Sequence, residues 1–340
     1  MTRRKILSAA AFVAAGALTM TSCASGAGGD ELITVDMAMS AVSILSAAPI
    51  EVAIDQGYFE ENGCQIGERL ESEGGASTLR LLLDGGLDMG EVGTGAVIDG
   101  YVSGAPILAV GSAAQRPYDN NWAVLKGSDI TSPEDMVGKI WGITNPGGAS
   151  EDLSFLIPNS LGMDPDSIER VPTNGLGGGL ALLEGGDIDL ALITPLVFER
   201  NKEKLEVAFE TIDYIPAFQK TLYVTTEEFA ESNPDGVRCV LAAINDAVAF
   251  IKDDPGAAAE IYAEAAEGDF PVEERTAELE LAVDRGALDG GVGFNAEGLA
   301  NNALARQLRD GTDEVVPWEE FLDPQFLPEG VSTDIPKSEG

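Results

Sequence analysis

Short apolar runs alternate with amphipathic stretches along most of this chain, and glycine or polar turns separate them. The pattern predicts a strand at residues 32–38, a helix at 49–56 ending near Gly57, a strand at 65–70 and a helix at 77–83. A strand at 89–92, a helix at 96–102 and a strand at 107–110 follow. Ser132, Pro133, Glu134 and Asp135 read as a helix start: a capping serine, proline at the first position, acids in the first turn. The alternation resumes with a strand at 140–143, a helix near 151–161, a strand at 168–171, a helix at 178–183 and a strand at 190–193. From Pro234 the chain becomes mostly helical, at 234–252, 255–266, 272–284 and 297–309. Alternating strands and helices predict an α/β protein.

One segment occurs twice. Leu82-Leu83-Asp84-Gly85-Gly86-Leu87-Asp88-Met89-Gly90 is echoed by Leu182-Leu183-Glu184-Gly185-Gly186-Asp187-Ile188-Asp189-Leu190-Ala191, with one residue inserted. Each copy is a helix end, a glycine turn and a strand start, at the same place in two similar α/β runs. Any helix-glycine-strand turn looks somewhat like this, but the equal placement points to two related lobes.

Residues 1–22 read as an export signal: Arg3, Arg4 and Lys5 precede a charge-free apolar run at 6–20. Thr21, Ser22 and Cys23 follow, then a soft linker at 23–31, resembling the lipobox of bacterial lipoproteins with Cys23 as the acylated residue. Met20 is an unusual residue at its place in that motif, and residues 2–7 faintly resemble a twin-arginine signal.

The chain has 340 residues, enough for about two domains, with 58 acidic and 20 basic side chains and a net charge of −38. Such acidity repels a phosphate backbone, so nucleic acid is not expected as a partner. The chain contains no histidine, which rules out Ser-His-Asp and Cys-His nucleophile systems and His-ligated zinc or iron. No catalytic residue, metal or cofactor is expected. Beyond Cys23 only Cys64 and Cys239 remain; outside the cytoplasm they could pair, or both could be buried free thiols.

Six motifs in order resemble one family. Residues 49–63, with Gly57-Tyr58-Phe59 and Gly63, resemble the opening motif of the nitrate/sulfonate/taurine and pyrimidine-precursor (NMT1/THI5-like) substrate-binding proteins. Residues 83–90, 132–143, Leu161-Gly162-Met163-Asp164-Pro165, 187–195 and Asn233-Pro234 resemble its later motifs. The resemblance covers residues 32 to 252 and implies a type II periplasmic-binding-protein fold, two α/β lobes joined by two crossing segments. Lobe one would be residues 32–121 plus 220–335 and lobe two 122–219, with crossings near 121–125 and 217–224. Ligand would sit between the lobes, where strand ends and helix starts face each other.

Four loops should then reach the cleft: the turn after the first strand with Ser40 and Ser43, residues 74–77, Gly93-Thr94-Gly95, and the segment Gly147-Gly148-Ala149-Ser150. Glycines at a helix start expose backbone N–H groups that suit carboxylate, sulfonate or nitrate oxygens. For Ser77 and Ser132 plain helix capping is the simpler reading, whereas Thr94 and residues 147–150 are expected to touch ligand. Thr194 occupies the second-lobe strand end. Arg116 could bind an anion through its guanidinium, although an arginine in so acidic a chain more often meets a surface carboxylate. Tyr118, Trp122 and Phe155 could stack on a planar ligand, with core packing the default.

The resemblance implies a solute-binding lipoprotein on the outer face of the cell membrane. It would be monomeric and lipid-anchored, and would deliver a small molecule to an ABC permease and its ATPase. A sensor subunit for a membrane receptor is the alternative. An enzyme on the same fold, like the pyrimidine synthase of this superfamily, would need the histidine and cysteine cluster that this chain lacks. The leader predicts that Cys23→Ala releases the protein into the medium or leaves an unprocessed precursor. Cell fractionation checks this, and unchanged membrane association would count against lipidation.

Overall fold

The computed structural model describes residues 32–40, 44–72, 75–265 and 271–337, with the backbone alone at residues 39, 40, 71 and 76. The leader 1–22, the linker 23–31 with Cys23, and Ser43 therefore lie outside the described residues. Ten strands are present among them: β1 (Ile33–Ser40), β2 (Cys64–Ser72), β3 (Met89–Gly93), β4 (Ile107–Ser112), β5 (Asn121–Leu125), β6 (Ile140–Ile143), β7 (Glu169–Pro172), β8 (Leu190–Ile193), β9 (Leu205–Glu210) and β10 (Thr221–Thr226). They form two five-stranded sheets, in the orders β2-β1-β3-β10-β4 and β7-β6-β8-β5-β9. In each sheet three parallel strands are followed by one antiparallel strand, which separates them from the edge.

The antiparallel strand is in each case the first one the chain makes after changing sheets. β5 follows β4 into the second sheet, and β10 follows β9 back into the first. This corrects where the crossings were expected: residues 121–125 are β5 itself and 217–224 overlap β10, so the links run through residues 113–120 and 211–220. The helix start at Ser132 also proves short. Ser132 and Asp135 make a reciprocal capping box, but only the single turn Pro133–Met136 follows.

The echoed turns do the same structural work in both sheets. The Asp36 N–H donates to the Asp88 carboxylate at 2.9 Å while the Asp88 N–H donates to the Asp36 carbonyl at 2.9 Å. In the second sheet the Ile140 N–H donates to the Asp189 carboxylate at 2.8 Å and the Asp189 N–H to the Ile140 carbonyl at 2.9 Å. Each aspartate, standing just before the central strand, thus clamps the backbone of its neighbour strand.

Helix Pro234–Asp253 covers one face of the first sheet with Val237, Leu241, Ile244, Val248 and Ile251 at helical spacing, against Val35, Met37 and Met89. The second sheet is built on aromatics. Trp122 and Trp141 meet edge to face at 4.7 Å, Phe209 packs beside them, and the Trp122 indole N–H donates to Thr211 at 2.9 Å. Tyr118 is buried, and Phe155 lies under the Arg170 guanidinium at 3.5 Å. All three aromatics considered for stacking on a ligand are core residues. Helix Ala296–Asp310 belongs to both halves, with Leu299 in an apolar cluster of the first sheet and Ala305 in that of the second.

Cys64 at the start of β2 and Cys239 in helix Pro234–Asp253 form a disulfide, with Cα atoms 6.1 Å apart and a sequence separation of 175. Closing so long a loop removes much freedom from the unfolded chain. The Cys64→Ala/Cys239→Ala double variant should therefore lose about 2–5 kcal/mol of unfolding free energy. Guanidinium unfolding against the oxidised wild type measures it, and equal midpoints would refute a stabilising role.

Candidate functional site

A cavity of about 680 Å3 lies where the two sheets face each other. The first sheet lines it with Gly75, Ser77, Glu91, Gly93 and Ala96, the second with residues 144–149, and Lys220 and Thr221 at the start of β10 complete it. β3 ends here at Gly93 and β10 begins here at Thr221, so the cavity sits at the carboxyl ends of the parallel strands. Two other cavities, of about 490 and 590 Å3, surround Pro106 and Glu227 at the opposite end of the first sheet. Neither takes a residue from the strands of the second sheet.

The second-sheet wall is the loop between β6 and helix Ala149–Ser160. Gly147 adopts φ +71°, a conformation glycine takes without strain, and this turns the chain into the helix. The Gly147 N–H donates to the Glu151 carboxylate at 2.6 Å and the Gly148 N–H to the Asn145 carbonyl at 3.2 Å. The Ser150 hydroxyl accepts from the Thr144 N–H at 2.8 Å and is buried. Gly147, Gly148 and Ala149 therefore line the cavity as expected, but the loop spends two N–H groups and the Ser150 hydroxyl on its own closure. Glu151 places a carboxylate where an anion was expected to bind.

On the first-sheet side, helix Thr94–Val102 starts directly at the end of β3. Thr94 is buried, its N–H donates to the Lys220 carbonyl at 3.1 Å, and its hydroxyl has no hydrogen-bond partner. Gly95 touches the opposite wall: a Cβ there would come within 3.0 Å of the Gly147 carbonyl and 3.2 Å of the Asp152 carboxylate. A side chain there would press the walls apart by a few tenths of an ångström.

The remaining expected site residues lie elsewhere. The Thr194 hydroxyl caps helix Pro195–Asn201, accepting from the Val197 N–H at 3.4 Å, and does not line the cavity. Arg116 lies beside Gly286, away from the cavity wall. Ser40 pairs through its backbone with Ser72 at the end of β1.

Sequence reasoning missed Glu91, Lys220 and an arginine network behind the cavity. An ionisable residue inside an otherwise apolar central strand is the signal that would have revealed Glu91. Its carboxyl is buried and neither oxygen has a hydrogen bond of ordinary geometry. Burial raises it above the usual carboxylate range, while the nearby Thr221 and Ser46 hydroxyls and the Lys220 ammonium draw it back. The Lys220 ammonium is held by Asp119 at 2.5 Å.

The arginines lie on helix Ala296–Asp310. Arg309 reaches Asp152 of the second-sheet helix at 3.2 Å, Asp99 of the first-sheet helix at 3.2 Å and Asp310 at 2.9 Å. Arg306 adds Glu314 at 3.0 Å and Asp99 at 3.5 Å. Four carboxylates thus share two guanidinium groups. The most enclosed, Asp152, is pushed up to about 8: burial dominates, Arg309 opposes it, and Glu151, Asp99 and Asp310 add to it.

From the unfolded value near 3.9 up to that folded value, the folded chain holds a proton that the unfolded chain has released. This group's contribution to stability accordingly falls as pH rises through that window. Asp152→Asn should flatten the dependence, so that its melting temperature gains on wild type between pH 5 and pH 8. Thermal melts across that range check it, and parallel profiles would refute a protonated Asp152.

The family model described as NMT1/THI5 like matches residues 45–258. The 4-amino-5-hydroxymethyl-2-methylpyrimidine phosphate synthase of Aspergillus parasiticus is 24% identical over 230 residues, covering 63% of this chain and 66% of that protein. The taurine-binding periplasmic protein of Escherichia coli (strain K12) is 27% identical over 215 residues, covering 59% and 62%. The chain thus spans slightly less than two thirds of the length of these relatives. The periplasmic aliphatic sulphonate binding protein of Escherichia coli superposes with a TM-score of 0.64 at 18% identity, over 89% of this chain and 96% of that one. At that identity the likeness establishes the fold, two α/β lobes of the periplasmic-binding-protein type. The chain belongs to the NMT1/THI5-like family.

Proposed function

We propose that this chain is the solute-binding component of an ABC importer, anchored through Cys23 to the extracytoplasmic face of the cell membrane and acting as a monomer. The observation that carries the reading is the cavity walled by both sheets. Its size suits one small molecule, and in this reading its walls part by rotation about the two links between sheets. In this reading residues 32–121 with 220–335 move against 122–219. The ligand is captured when Gly95 and Gly147 close over it, and the closed form is presented to permease and ATPase.

Relatives named as synthases raise the alternative of catalysis. Against it, the sequence contains no histidine and ties Cys64 to Cys239, which removes the commonest proton carrier and two of its three thiols. The relative named for taurine and the neighbour named for aliphatic sulphonates favour small organic solutes over macromolecules.

Thermal-shift screening of residues 23–340 against taurine, alkanesulfonates, nitrate and aminopyrimidines should give at least one positive shift. A ligand at 100 times its dissociation constant adds about 2.7 kcal/mol. Small-angle scattering with that compound should then show a smaller radius of gyration than the free protein. Binding confirmed by calorimetry with an unchanged scattering profile would refute capture by closure.

A further inference from the structure

The cavity wall holds one buried carboxyl whose oxygens make no hydrogen bond of ordinary geometry. Glu91 stands on β3, the middle strand of the first sheet, and is only 2% exposed, yet it lines the cavity. Neither of its oxygens has a hydrogen-bond partner. The cations nearby already have carboxylates: Lys220 has Asp119 at 2.5 Å, Arg309 has Asp99 and Asp152, and Arg306 has Glu314 and Asp99, although the Arg306 Nε and Nη1 make no hydrogen bond. Two of the N–H groups that would hold an anion are engaged as well, since those of Gly147 and Gly148 bond within their own loop. An isolated buried carboxylate is costly, and it is retained where something arrives to pair with it. Two unpartnered oxygens on one carboxylate match two N–H donors on one carbon, side by side, once the walls part to admit them.

We infer that Glu91 is the ligand anchor of the cleft, and that the cleft accepts a small molecule bearing an amidine or guanidine group rather than a sulfonate or nitrate. The inference rests on the solute-binding reading and narrows it. In the filled cleft the two carboxylate oxygens accept the paired N–H donors. The Thr221 and Ser46 hydroxyls lie close to the same carboxyl. The ligand's remaining bulk lies against Gly147, Gly148 and Ala149, where no large side chain intrudes.

Calorimetry on residues 23–340 with benzamidine, guanidine and agmatine, set against benzenesulfonate, taurine and nitrate, tests this. The nitrogen compounds should bind wild type, and Glu91→Gln should weaken them more than tenfold. The ligand-free melting temperature of that variant should hold or rise, because an unpaired buried charge has gone. Glu91→Asp, which keeps the charge but withdraws it by one methylene, should lose affinity less than Glu91→Gln. Anions that bind wild type and Glu91→Gln equally well would overturn the role of Glu91 while leaving solute binding intact. If none of the six binds, the proposed ligand class is wrong, and the broader thermal-shift screen decides separately whether the protein binds solutes.

Discussion

Everything in this molecule depends on the chain changing sheets twice and, each time, inserting its next strand antiparallel beside the central parallel strand. β5 between β8 and β9, and β10 between β3 and β4, are held on both sides by backbone hydrogen bonds. A strand so placed cannot be withdrawn without breaking two ladders, so each half is completed by chain that has just left the other. The arrangement also fixes where a ligand can sit. β10 begins at the cavity, so Lys220 and Thr221, reached through the returning link, become part of its floor.

Within that frame, the repeated aspartates set the register of each half. Asp88 and Asp189 are each caught between a glycine turn and the central strand, and each both accepts from and donates to the backbone of the neighbouring strand. The reciprocal pair anchors the strand start, so the strand's far end, where the loops carry function, inherits a defined position. That the two halves share this device accounts for the echo in the sequence. An aspartate that looked like part of a glycine-rich turn is a structural clamp, and neither copy lines the cavity between the sheets.

How much could be read from the sequence depended on where the information was local. β6 and β8 coincide with predicted strands, and helix Val272–Asp284 with a predicted helix, because apolar spacing and flanking breakers agreed there. β5, β9 and β10 went unread for a different reason: 121–125 and 217–224 were assigned to crossings by family position, and β9 alternates leucine, valine and phenylalanine with acids on a half-buried edge. The cavity loop 147–149 was legible because adjacent glycines before a helix permit a tight turn that exposes backbone N–H groups. Its hydrogen-bond partners were not, since Glu151 folding back onto Gly147 is a matter of rotamer and geometry. Thr194 failed for a similar reason. A threonine before proline at a strand end caps the helix it opens, and that local use satisfied the hydroxyl.

The net charge of −38 does not set the charge of the ligand, because net charge acts at a distance and is screened within a Debye length. What decides selectivity is the local count of engaged and unengaged groups inside a low-dielectric cleft. By that count the arginines of helix Ala296–Asp310, despite lying close to the cavity, are structural, because four carboxylates already divide them. Their role is to join Asp99 of one lobe to Asp152 of the other, so that the walls meet across the Arg309 guanidinium. A ligand entering such a site gains nothing from a cation that is already neutralised. The carboxyl on the cavity wall whose oxygens make no hydrogen bond is that of Glu91, and the wall around it combines small residues with Lys220, which Asp119 already pairs.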